Sequence, residues 1–247
     1  MVKKWKWMLM AVVRNDLFDY KNRYIYQLEK GFKFSLDSIL IAEYVRFNKN
    51  SQNILDLCTG NAPIPLILSL KTKSIIHGFE IQKKIYKLAK KSIEENKLEK
   101  QIKIINDDVK NLINYFPKNH FDIITCNPPF FNNIQEKNVN KNDYLSIARH
   151  EIKINLEDIL SLVSQFLKEN GTFYLIHRLT RLDEILIIAA KYKLFIKEIQ
   201  IILTKENQRP EIVLFKIKKN AKKGIKFNKI INIEKEKTYQ NLFKENC

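Results

Sequence analysis

The sequence predicts an α/β fold, a largely parallel sheet with helices on both faces. Two observations predict it. From residue 51 onward, short apolar runs alternate with amphipathic stretches of helical period. Polar residues then recur just beyond the apolar runs, on what becomes one rim of the sheet.

The first segment, residues 1–35, is an extension with short strands. The apolar run from Trp7 to Val13 ends at Arg14 without an A-x-A-like site. That pattern predicts an extra strand or amphipathic segment, not a signal peptide. Tyr24-Ile25-Tyr26-Gln27 predicts a strand, Glu29-Lys30-Gly31 a turn, and Phe32-Lys33-Phe34 a second strand. Ser35 or Asp37 then caps a helix whose apolar face holds Ile39, Leu40, Ala42, Tyr44 and Val45.

The main domain spans 36–220. Strands are expected at 53–57, 74–79, 102–105, 121–126, 172–176, 195–203 and 212–218. Helices are expected at 63–70, with proline in the first turn, and at 82–96, 156–167 and 182–192. Asn170-Gly171 closes the third of these. Residues 131–147 are polar and predict a loop. Residues 221–247 form a basic tail.

Composition narrows the partners. The 247 residues carry a formal net charge of +17 and a pI near 9.6. Such a surface suits a polyanion, nucleic acid ahead of a membrane. Lys, Ile and Asn are abundant and Gly is scarce, so part of the charge is also a solvated surface of an A/T-rich coding sequence. No apolar run approaches a membrane span. Cys58, Cys126 and Cys247 are odd in number and widely spaced. They form no disulfide framework and no zinc pattern, which fits a reducing cytoplasm.

The chemistry-bearing residues sit at strand ends. The first strand of the main domain runs into Asp56-Leu57-Cys58-Thr59-Gly60-Asn61, where Gly60 permits a tight turn close to a ligand. The second ends at Glu80, placed to accept from both hydroxyls of a ribose. Asp108 follows the third, placed to accept from an adenine amino group. Each acid alone also suits a duller role: a helix cap for Asp56 or Asp108, a surface position for Glu80. There is no G-x-G-x-x-G and no P-loop lysine. Ala62 stands where a second glycine is expected. A nucleoside without phosphates fits this rim, and S-adenosylmethionine is such a ligand.

The fourth strand ends in Asn127-Pro128-Pro129-Phe130. Two prolines hold the backbone still and donate nothing. The Asn127 side chain and a neighbouring carbonyl are acceptors, and Phe130 is a flat apolar plate. Together they suit a planar group bearing –NH2. Fixed acceptors localise the amine lone pair, so alignment serves in place of a general base.

Asp56-x-Cys-Thr-Gly, Glu80, Asp108 and Asn127-Pro-Pro-Phe, in that order, resemble class I S-adenosylmethionine-dependent methyltransferases. GFKFSLDSILIAEYV (31–45), DLCTGNAPIPLILS (56–69), ARHEIKINLEDIL (148–160) and HRLTRLDEI (177–185) resemble the tRNA1(Val) adenine-37 N6-methyltransferase family, from about Arg14 to near the C-terminus. The resemblance implies a Rossmann-like seven-stranded sheet with its last strand antiparallel. It implies that Asp56, Thr59 and Gly60, with Cys58 and Asn61, line the methionine end of the cofactor. Glu80 and Ile81 would serve the ribose side, Asp108 and Val109 the adenine. Phe34, Ser35 and Asp37 would close over the cofactor. Asn127 and the Pro128 carbonyl would take the two amino protons, Pro129 would stiffen the turn, and Phe130 would stack on a flipped base. Lys137, Lys141, Arg149, His150, His177, Arg178, Arg181, Lys222 and Lys223 would track phosphates of the anticodon region. His150 and His177 also suit packing roles. A cytoplasmic monomer without metal is implied. Ala62 departs from the family's glycine and implies altered cofactor contacts.

Three alternatives stand beside this reading. One is an N5-glutamine methyltransferase of a translation factor, against which the short N-terminal extension argues. Another is a guanine-N2 rRNA methyltransferase, against which the lack of a duplicated half argues. The third is an RNA-binding protein on an inactive scaffold, against which the intact Asn127, Glu80 and Asp108 argue.

Overall fold

Isoleucine-, leucine- and phenylalanine-rich runs with no polar face become central strands, because parallel strands are covered on both sides. The computed structural model describes residues 11–17, 20, 22–29, 35–49, 51–129, 154–204 and 209–236. The strands are β1 Val12–Asp16, β2 Tyr24–Leu28, β3 Asn53–Leu57, β4 Ile75–Phe79, β5 Ile102–Ile105, β6 Phe121–Cys126, β7 Leu167–Arg178, β8 Leu194–Leu203, β9 Ile212–Lys219, β10 Lys226–Phe227 and β11 Ile231–Asn232. The helices are α1 Leu36–Tyr44, α2 Pro63–Leu68, α3 Lys83–Glu95, α4 Leu156–Phe166 and α5 Leu182–Lys191. Short 3-10 turns lie at Val109–Asn114 and Leu179–Arg181.

The main sheet runs β8-β9-β7-β6-β3-β4-β5. β9 is antiparallel to both neighbours and the other pairings among these seven strands are parallel. This is the expected seven-stranded class I arrangement. The chain winds outward through β4 and β5, then returns to place β6 on the other side of β3. That reversal opens a crevice beyond the carboxyl ends of β3 and β6.

Side-chain alternation separates two cores. Leu55, Leu57, Phe79, Cys126, Phe173, Leu175, Val213 and Phe215 pack with α4 and α5 on one face. Ile54, Ile76, Ile123, Tyr174, Ile176 and Leu214 pack with α1, α2 and Ile93 of α3 on the other.

Three features extend or alter expectation. β2 pairs antiparallel with β1, in register Val12↔Leu28 to Asp16↔Tyr24, so the N-terminal run supplies its partner. The expected strand at 32–34 and the loop at 131–147 lie outside the described residues. Second, α4 passes directly into β7, whose Leu167 pairs with Phe121. Asn170-Gly171 therefore sits within a register irregularity of a longer strand and does not end a helix. Third, the tail adds β10 and β11 to the free edge of β8. Pairing satisfies the backbone groups that an edge strand leaves open.

The β1–β2 hairpin docks on α3 through backbone groups that its own ladder leaves unused. Tyr24 N–H donates to Asn96 Oδ1 at 3.0 Å, and Asn96 Nδ2 returns a bond to Tyr24 O at 2.7 Å. Tyr26 N–H donates to Ser92 Oγ at 2.9 Å.

Gly78 of β4 lies beside Asp56 of β3. A methyl group there would meet Ile104 Cδ1 at 2.7 Å and Thr59 Oγ1 at 2.9 Å. The glycine is thus a space requirement of the loop after β3. Gly78→Ala is expected to lower stability by about 1–3 kcal/mol, the usual range for overpacking, and to displace Thr59. Urea unfolding checks the first effect, and cofactor titration of the folded variant checks the second.

Candidate active site

The crevice is built around one buried carboxylate. Asp56 has no exposed surface. Its Oδ2 accepts from Thr59 Oγ1 at 2.6 Å, and its Oδ1 accepts from Thr125 Oγ1 at 2.6 Å. Thr125 is the register partner of Asp56 on β6. Burial pushes the Asp56 carboxyl up to about 7, against the two hydroxyls that pull it down. Both oxygens face protein donors, so Asp56 holds the loop to the sheet.

The loop that Asp56 holds is a tight left-handed path. Cys58, Gly60 and Ala62 have φ of 57°, 58° and 70°. For the two non-glycines this conformation is costly, and contacts on every side maintain it. Thr59 N–H donates to Phe79 O at 2.9 Å, and Ala62 N–H donates to Thr59 O at 3.0 Å. Ala62 is fully buried and is the N-cap of α2. Its methyl group therefore points into protein, and the departure from glycine appears as backbone strain. Cys58 is half-buried, and its thiol faces that of Cys126.

Glu80 closes the other side of the loop. Its Oε2 accepts from Gly60 N–H at 3.0 Å, and its Oε1 accepts from Gln82 N–H at 2.7 Å. Burial pushes its carboxyl up to about 7, while these two N–H groups pull it down. Each oxygen keeps a second lone pair for a ligand. Ile81 beside it is 38% exposed, an apolar surface at the mouth of the crevice. Asn106 Nδ2 ties β5 to this corner through Glu80 O at 2.7 Å.

Asp108 is half-buried and caps the 3-10 turn, its Oδ1 accepting from Lys110 N–H at 3.0 Å. Oδ1 thus has the capping role. Val109 is buried beneath it.

Beyond β6, Asn127 is half-buried and Pro128 is buried. Asn127 Nδ2 donates to Ser38 Oγ of α1 at 3.1 Å. Ser35 is the N-cap of α1, and its side chain hydrogen-bonds to Asp37. Burial raises the Asp37 carboxyl, opposed by the nearby Arg178 guanidinium and by Ser35. Phe34, Phe130, Lys137, Lys141, Arg149 and His150 lie outside the described residues.

Among the expected phosphate contacts, His177 is fully buried in β7, and burial lowers its imidazole to about 3. A side chain with no surface cannot meet RNA, so His177 is removed from that set. Arg178 pairs with Glu211 at 2.9 Å, and Arg181 pairs with Glu184 at 2.6 Å. Lys222 and Lys223 are exposed on the tail that climbs the β8 edge.

Among the described residues, the buried side-chain atoms without a hydrogen-bond partner include two acceptors beside this loop, Asn61 Oδ1 and Gln82 Oε1. Asn61 is 1% exposed, and its Nδ2 is held by Tyr26 O of the hairpin at 3.1 Å. Buried polar atoms are normally satisfied. These two flank Gly60 and Glu80 in sequence and suit a ligand rich in donors, such as the hydroxyls and ammonium of S-adenosylmethionine. Sequence reasoning missed Gln82, Ser38, Thr125 and Gly78. Thr125 alone left a signal, as the hydroxyl inside the apolar run before Asn127.

Asp56 and Glu80 hold protons more tightly folded than unfolded, with ordinary values of 3.8 and 4.5 raised to about 7. Their contribution to stability is therefore lost as pH rises through that window. The thermal midpoint is expected to fall between about pH 5 and about pH 8, and to fall less in Asp56→Asn, which cannot ionise. Calorimetry on the two proteins checks this; equal slopes would contradict it.

Residues 35–178 match the family model described as the methyltransferase small domain. Among curated proteins, a tRNA1(Val) (adenine(37)-N6)-methyltransferase of Bacteroides thetaiotaomicron is 24% identical, over 94% of this chain and 95% of that protein. The same enzyme of Flavobacterium psychrophilum is 24% identical over 85% and 89%. The Pedobacter heparinus one is 26% identical over 80% and 81%. Among solved structures, a predicted O-methyltransferase from Agrobacterium tumefaciens aligns with a TM-score of 0.64 at 17% identity, over 80% of this chain and 88% of that one. A tRNA m1G37 methyltransferase of M. jannaschii aligns with a TM-score of 0.59 at 17% identity, over 87% and 56%. These structural matches speak for the fold, and the family match covers more than half of the chain. With the buried loop, the acid at the end of β4 and the Asn-Pro-Pro turn in place, this chain belongs to the methyltransferase small domain family.

Proposed function

We propose that this chain is an S-adenosylmethionine-dependent methyltransferase acting on N6 of an adenosine in tRNA, at position 37 of tRNA(Val). One observation carries the reading: Asn127 is held by its Nδ2 at the carboxyl end of β6, which leaves Oδ1 as an acceptor beside two prolines. The curated relatives with this name cover most of the chain and support the choice of substrate.

When bound, S-adenosylmethionine supplies an electrophilic methyl group. The chain's own residues do the rest. Glu80 accepts from the ribose hydroxyls, and Asn61 Oδ1 and Gln82 Oε1 take further donors. Asp108 Oδ2 accepts from the adenine amino group, with Ile81 against the ring. Asn127 Oδ1 and the Pro128 carbonyl accept the two N6 protons of the target, which bends the amine and localises its lone pair. Phe130 stacks on the flipped base, worth about 1–3 kcal/mol against the cost of unstacking. Arg178, Arg181, Lys222 and Lys223 meet phosphates of the anticodon region, together with Lys137, Lys141, Arg149 and His150. The protein acts as a cytoplasmic monomer, without metal. Among the described residues no helix is long and apolar enough to cross a membrane.

The ribose contact gives a pH signature. Hydroxyls donate best to an ionised Glu80, whose carboxyl lies at about 7 in the free protein. Cofactor affinity is expected to weaken by about three- to tenfold from pH 8 to pH 6. In Glu80→Gln it should be weak at both values, because the amide opposes Gly60 N–H. Calorimetric titration decides this, and a wild-type slope retained in the variant would exclude Glu80.

The reaction itself is tested with radiolabelled cofactor on total RNA and protein. Label should appear in tRNA as N6-methyladenosine. Asn127→Ala should keep cofactor binding and lose at least about a hundredfold in transfer, as losing an electrostatic contact to the reacting group does. Label in guanosine or in protein would overturn the proposal.

A further inference from the structure

We infer that Ser38 is a positioning residue: its hydroxyl sets the Asn127 carboxamide in the orientation that aims an acceptor at the target amine. The inference rests on the function proposed above and adds a residue outside the Asn-Pro-Pro motif to its chemistry.

Ser38 lies in the first turns of α1 and is only 4% exposed. Asn127 Nδ2 donates to its Oγ at 3.1 Å, across 89 residues of sequence. A carboxamide has two ends of nearly equal shape and opposite hydrogen-bonding character. With Nδ2 on Ser38, the end left over is Oδ1. Among the described residues no donor occupies Oδ1. Turned over, the amide would present N–H groups to an amine that also presents N–H groups. The contact would then repel the substrate that the motif exists to bind.

Among the described residues, no other hydrogen bond to the carboxamide makes the choice. The prolines after Asn127 fix its backbone surroundings, but the terminal torsion of Asn is broad and roughly two-fold. Asn127 is half-buried, so packing alone does not distinguish the two ends. The Ser38 hydroxyl takes the acceptor role toward Nδ2 in this structure. Ser38 sits between elements that already belong to the crevice. Ser35 and Asp37 precede it on α1, and α1 itself packs against α2 and β7. The same helix that bounds the cofactor side thus orients the acceptor for the second substrate.

The test uses the full-length chain with tRNA and S-adenosylmethionine. Ser38→Ala is expected to lower kcat roughly tenfold, about what one lost hydrogen bond is worth, with cofactor Kd within about twofold of wild type. The side-chain NH2 pair of Asn127 should shift in a 1H–15N spectrum of the variant. A carboxylate has two identical acceptors and needs no such orientation. In an Asn127→Asp background, Ser38→Ala should therefore cost little. An equal loss in both backgrounds would assign Ser38 a merely structural role and overturn the inference. So would an unmoved Asn127 NH2 pair, or wild-type turnover in Ser38→Ala. If the wild-type chain transfers no methyl to RNA, the proposed function fails, and the NH2 pair still decides whether Ser38 holds Asn127.

Discussion

The structure depends on a carboxylate removed from water. Asp56 is fully buried, and its two oxygens are each taken by a threonine hydroxyl. One hydroxyl comes from the loop that follows β3, the other from the neighbouring strand β6. A buried acid without partners would be severely destabilising. With both partners it locks the loop to the sheet at the point where strand order reverses. Everything at the crevice is referenced to that lock. Gly60 N–H points at Glu80 because Thr59 is held, and Asn127 emerges two residues beyond Thr125.

Asp56 is also the centre of a longer device. Along one face of the sheet its register neighbours are Gly78, then Thr125, Tyr174, Lys216 and Glu198. Isoleucine and leucine dominate this face, yet the row is polar across several strands. Each polar member has a partner. Tyr174 Oη exchanges bonds with the Arg46 backbone at 3.1 Å, and Lys216 pairs with Glu198 at 2.6 Å. A slip of one residue in any strand would turn its polar member into the opposite core. The row therefore pins the register that brings the strand ends level, and level strand ends are what make one rim.

The crevice is not a property of the sheet alone. The β1–β2 hairpin supplies Tyr26 O to Asn61, and α1 supplies Ser38 Oγ to Asn127. Both contacts come from chain that precedes the first strand of the main sheet. Each consumes one end of a side-chain amide and leaves the other end, Oδ1, as an acceptor. The N-terminal segment thus sets the polarity of two amides, one on the cofactor side and one on the side of the methyl acceptor.

Much of this was determined by the sequence itself. The alternation of β3 to β9 with helices, the acid at Glu80 and the Asn-Pro-Pro turn are local patterns, legible because burial period and turn chemistry act over a few residues. The positive charge is likewise additive along the chain. Tertiary structure decided the rest. It made Asp56 a buried lock between loop and sheet, and withdrew His177 from the surface into β7. It paired β2 with β1 and carried the tail onto the β8 edge. It brought Thr125 to Asp56, Gly78 to Thr59 and Ser38 to Asn127. These outcomes depend on which residues lie side by side across strands and helices distant in the chain. Register and burial set that, and no short stretch of sequence encodes either one.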